Sequence, residues 1–84
     1  MDITQIICKR NQTQALLDEL KDWQGEGAKV FLSGATTKGK HGYIIVKWDK
    51  PMPEMFHQKL MNDPDILDYF TLGSAVVTQL SQGL

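Results

Sequence analysis

The stretch of this chain densest in groups that could do chemistry is Lys38-Gly39-Lys40-His41-Gly42-Tyr43. Lysines set among glycines can gather backbone N–H groups and positive charge around an anion. The Gly-x-x-x-x-Gly-Lys-Ser/Thr order of a nucleotide phosphate loop is absent, and a solvated hairpin loop has the same composition. His41, between glycines and an apolar strand, is the better of the two histidines for proton transfer, with Tyr43 as the nearby hydroxyl. The sequence places no carboxylate beside His41 to orient it, so no catalytic residue is assigned. His57 sits off the apolar stripe of its segment and reads as a surface residue. Asp63, Asp65 and Asp68 could surround a cation, but a turn and a helix boundary explain the same spacing. Cys8 is the only cysteine and reads as a buried strand residue. It has no partner for an intramolecular disulfide, and no Cys/His cluster has metal-ligand spacing. Neither a metal nor a cofactor is expected.

The segment His41-Gly42-Tyr43-Ile44-Ile45-Val46-Lys47-Trp48 partly resembles the RNP1 signature of RNA-recognition motifs. Gly42, Tyr43, Val46 and Trp48 stand at matching places. Ile45 replaces a base-stacking aromatic, Ile44 replaces a small residue, and the first strand has no aromatic. The formal net charge is -1. Phosphate contacts supply most nucleic-acid affinity and call for a basic surface. Nucleic acid is therefore not the expected partner.

These residues must be positioned by short elements. Ile3 to Lys9 is rich in β-branched residues and reads as a strand, with Thr4, Ile6 and Cys8 on one side and Ile3, Gln5 and Ile7 on the other. Asn11 is expected to cap a helix running to Trp23, with Gln14 at the capping-box spacing. Leu16, Leu17, Leu20 and Trp23 form its apolar stripe, and Gly25 and Gly27 its exit. Lys29–Ser33 and Tyr43–Trp48 read as antiparallel strands joined by the glycine-rich loop Gly34–Gly42. Pro53 is placed to begin a second helix reaching Asn62, with Met52, Met55, Phe56 and Leu60 as its stripe. Met52, Met55 and Met61 are expected to fill the core. Asp65–Phe70 fits either a helical turn or extended chain. Ala75–Leu80 is the expected fourth strand, with Gly73 as a bulge or bend before it.

The order β-α-β-β-α-β matches the split βαβ arrangement. In element order, from Ile3 to Leu80, the chain resembles ferredoxin-like α+β domains. These include ACT domains, effector domains of leucine-responsive regulators and dimeric α+β barrel proteins. The resemblance implies one four-stranded antiparallel sheet with both helices on one face. The expected domain organisation is a single domain over residues 1–84. The expected core is Leu16, Leu20, Val30, Leu32, Val46, Phe56 and Leu60.

An 84-residue chain with 42% hydrophobic residues supports one modest core. A domain of this size buries only about 60–65% of its unfolded surface, so shared burial with a partner would help it. The sheet face without helices is expected to hold Phe31, Tyr43 and Ile45, and every strand can bring an apolar residue there. A solvated antiparallel sheet would show polar residues instead. These three residues, with Lys38, Lys40 and His41, are the candidate interface or ligand positions. The expected function is a small non-enzymatic regulatory or interaction module that forms a homodimer and binds a small molecule or a protein partner. The alternative is a small dimeric α+β barrel enzyme with its pocket on the sheet face. No apolar run approaches the roughly 20 residues that span a bilayer, and the start lacks the pattern of a secretory signal. A cytoplasmic location is expected.

Overall fold

The computed structural model describes residues 2–36 and 39–73. Within them the chain is α+β, with four strands in one antiparallel sheet and two helices. β1 (Asp2–Lys9) leads through a 3-10 turn at Arg10–Gln12 into α1 (Thr13–Leu20), which tightens into a second 3-10 stretch at Lys21–Glu26. β2 (Ala28–Ala35) and β3 (His41–Trp48) pair as a hairpin, α2 spans Glu54–Asn62, and β4 is Ile66–Leu72. The sheet order is β2-β3-β1-β4. β1 and β2 thus run parallel with β3 between them, and β3 and β4 run parallel with β1 between them.

The first helical segment starts where expected but is built differently. Asn11 lies inside the 3-10 turn and makes no capping bond, while Gln14 donates to Asp18 rather than closing a capping box. Thr13 ties the entry instead, its hydroxyl donating to the Arg10 carbonyl at 2.9 Å. Gly27 closes the segment in the left-handed region at φ 95°, a conformation that glycine adopts at little steric cost. α2 begins one residue after Pro53, whose extended backbone forms its N-cap.

The fourth strand is a correction. It is Ile66–Leu72, which the sequence reading left open between a turn and extended chain. The expected strand Ala75–Leu80 lies outside the described residues. β4 has a bulge opposite Ile7 and Cys8, where Leu67 is its extra residue, and Gly73, expected as a bulge or bend, directly follows its last residue.

One face of the sheet carries Thr4, Ile6 and Cys8 from β1 and Ile44, Val46 and Trp48 from β3, all fully or nearly fully buried. Leu16 and Leu20 of α1 and Phe56 and Leu60 of α2 belong to the same buried cluster. Phe56 is its hinge, meeting Trp48 edge-on at 5.0 Å and Trp23 at 5.1 Å. Such edge-to-face pairs add to the burial of the rings themselves.

Four expected core residues are not in it. Val30 is 40% exposed and Leu32 48% exposed. Val30 pairs with Val46 and so faces the core side, but it lines an open cleft between α1 and the edge strand β2 that neither helix fills. Leu32 is turned away by a β-bulge: Val30 pairs with Val46, Leu32 with Ile45, and Phe31 is the extra residue. Met55 and Met61 are also exposed, because they flank the buried Phe56–Leu60 pair of α2 on either side. Met52 alone of the three methionines packs against the core.

Candidate functional site

The face opposite the core is the main surface feature. Alternation along β1 places Ile3, Gln5 and Ile7 there, and along β3 Tyr43, Ile45 and Lys47. The bulge in β2 adds both Phe31 and Leu32, since an inserted residue lets two successive side chains share a face. β4 adds Asp68, Phe70 and Leu72, opposite Ile7, Gln5 and Ile3. Phe31 and Phe70 are 62% and 60% exposed, so two aromatic rings from the two edge strands stand open on this face. Tyr43 lies across β2 at Gly34, where an added Cβ would stand 2.6 Å from its hydroxyl. Glycine at this point is what lets the ring approach the neighbouring backbone.

The charged groups on this face keep to its margins, while the exposed, uncharged Gln5 lies at its middle, between Ile45 and Phe70. Lys29 and Lys47 face each other at one corner, with the Lys47 ammonium 4.1 Å from the centre of the Phe31 ring. Asp68 occupies the diagonally opposite corner. Phe31, Tyr43 and Ile45 are therefore brought together on one face with Leu32 and Phe70.

Lys40 and His41 sit elsewhere, at the end of the sheet. His41 pairs with Lys9 across the first rung of the β1–β3 ladder, and the Arg10 N–H donates to the Lys40 carbonyl at 2.9 Å. A cleft of about 840 Å³ opens between these two segments, lined by Lys9, Arg10, Asn11, Gly39, Lys40 and His41, with Leu67 on its apolar side. Lys9 makes an ion pair with Asp65 at 3.4 Å, whereas Arg10 and Lys40 make none among the described residues. The expected site position Lys38 lies outside the described residues. The His41 ring has no carboxylate hydrogen-bonded to it among the described residues, so the arrangement supplies no acid–base pair. Among those residues no group of three His, Cys, Asp or Glu could hold a metal ion, and no helix is long and apolar enough to cross a membrane.

Other chemically suggestive residues have structural roles. Cys8 is fully buried, 3.6 Å from the Thr13 hydroxyl. Thr4, also fully buried, accepts the Trp48 indole N–H at 3.0 Å and meets the Thr71 hydroxyl at 3.2 Å. His57 is half-buried and meets the Tyr69 ring edge-on at 5.8 Å. The aspartates do not converge on a cation: Asp63 accepts the Asp65 N–H and the Lys59 ammonium, and Asp65 pairs with Lys9.

Lys59 joins the two helices, binding Glu19 of α1 as well as Asp63. Partial burial pushes its ammonium down, but hydrogen bonds and charge from Glu19 and Asp63 outweigh that and hold it above its ordinary value. The Asp65 backbone N–H holds the Asp63 carboxyl below its ordinary value; burial opposes this and Lys59 reinforces it.

Sequence reasoning missed Leu32, Phe70 and Arg10. Phe70 lay in a run rich in β-branched and aromatic residues following the Asn62-Asp63-Pro64 stop, which is a strand signal. Leu32 had none, since a bulge leaves no mark on a single strand's pattern. No family model, no curated protein and no solved structure matches this chain.

Proposed function

We propose that this chain is a small, non-enzymatic interaction module of the ferredoxin-like kind, with both helices on the core face and the opposite sheet face pairing with a second copy. The carrying observation is that opposite face: Phe31, Leu32 and Phe70 stand exposed around the half-buried Tyr43 and Ile45. A largely apolar surface, broken only by the uncharged Gln5 and carrying its charges at the margin, has the anatomy of a protein interface. A second copy is favoured by charge placement. A two-fold axis along the other diagonal of the face sets Asp68 of each copy against Lys29 and Lys47 of its partner. The strands of the two sheets then cross steeply, as in orthogonal sheet packing. Sharing a core also answers the marginal burial of so short a chain. The module's role is regulatory or adaptor-like, with the rim of the dimer free for a further partner.

Analytical ultracentrifugation over a concentration series tests this reading. The wild-type chain should sediment as a dimer at high micromolar concentration. Leu32→Asp places a charge at the contact without touching the core and should weaken the dimer by at least about 30-fold. Circular dichroism checks that the variant keeps its fold. A monomeric wild-type chain at that concentration, or an unweakened Leu32→Asp dimer, rejects it.

A further inference from the structure

We infer that the cleft between the end of β1 and the start of β3 binds the dianionic phosphate group of a small molecule. The cleft draws its cations from two segments locked together by backbone. The Arg10 N–H bond to the Lys40 carbonyl and the Lys9–His41 rung fix the spacing between Lys9-Arg10 and Lys40-His41. Asp65 offsets Lys9, which leaves Arg10 and Lys40 without an anionic partner among the described residues. Two cations lining one cleft both attract an anion that enters it. Two unmatched cations fit a dianion better than a monoanion. The guanidinium of Arg10 offers parallel donors to two phosphate oxygens, and Lys40 adds a point charge. Asn11 and His41 add further polar side chains at the same mouth. Leu67, the bulged residue of β4, gives the cleft one apolar wall where the carbon part of a phosphate monoester can rest.

The site rests on the cleft alone and not on the proposed dimer. An ¹⁵N-labelled chain titrated at constant ionic strength tests it, with inorganic phosphate in one arm and phenyl phosphate in the other. The amides of Arg10, Asn11, Lys40 and His41 should shift along a saturable curve with a midpoint below about 10 mM. Tighter binding of phenyl phosphate assigns the site to an apolar monoester, and equal binding assigns it to free phosphate. Arg10→Gln and Lys40→Gln should each weaken binding about tenfold, since each removes a charge-assisted contact. Both side chains are exposed, so the variants keep the fold. The same titration on Leu32→Asp should give the wild-type affinity, which separates failure of this site from failure of the dimer. No saturable shift in either arm, or a midpoint unchanged in Arg10→Gln/Lys40→Gln, overturns the inference.

Discussion

Thr4 decides which way β1 faces. Its two sides each carry two apolar and two polar residues, so hydrophobicity alone does not choose between them. The buried Trp48 indole needs an acceptor, and Thr4 supplies it at 3.0 Å while its own proton is taken up by Thr71 or the Met52 sulfur. A buried donor left unpaired costs about 1–3 kcal/mol. Thr4→Val keeps the shape and removes the acceptor, so it should lower stability by about that amount in urea melts and shift the Trp48 fluorescence. Asp63 and Lys59 make a second residue-scale prediction. The Asp63 carboxyl lies below its ordinary 3.8 in the folded chain, so its stabilising effect is full above that pH and is lost as pH falls through the folded value. Lys59 lies above its ordinary 10.5, so its effect is full below that pH and fades as pH rises past the folded value. Asp63→Asn should therefore flatten the acid limb of a stability–pH curve.

At the scale of elements, the close approach of α1 to β3 rests on Gly42. An added Cβ there would stand 1.9 Å from the Thr13 hydroxyl and 3.3 Å from the Cys8 sulfur. Thr13 is already tied to the Arg10 carbonyl, so it has little room to yield. Gly42→Ala should cost about 1–3 kcal/mol, the usual range for overpacking, measured by thermal unfolding. Thr13→Ala in the same background should recover part of the loss by removing the atoms it strikes. β2 shows the opposite case. It lies at the sheet edge beside an open cleft, and its bulge sends Leu32 outward, so two residues that read as core became surface. The apolar outer face is larger for that reason.

For the molecule as a whole, Lys59 and Phe56 tie the two helices to each other and to β3, while nothing in the described chain covers the outer face. This contrast makes dimer formation the testable property at this scale. Leu32→Asp is informative because the side chain contributes little to the folded monomer, so a lost dimer reports the contact and not the fold.

Much of the architecture was legible from local pattern. The stripe Leu16–Leu20, the alternation in Tyr43–Trp48 and the Phe56–Leu60 pair each follow from the period of one element, and each is buried as read. The outward placement of Phe31, Tyr43 and Ile45 follows from the same alternation. What local pattern does not contain is the relation between strands. The bulges at Phe31 and Leu67 exist only as a mismatch between two ladders, and a one-residue offset reverses the side to which a residue points. The strand Ile66–Leu72 has apolar residues on both sides because it packs inward and also lies on the open face, which blurs its period. The basic cleft joins Arg10 to Lys40, thirty residues apart in sequence, through one backbone hydrogen bond. By itself the sequence determined the helices, three of the strands and the apolar character of the second face, because those depend on neighbours along the chain. Register, the bulges, the fourth strand and the gathering of cations were decided by tertiary structure, because they depend on which distant residues pair.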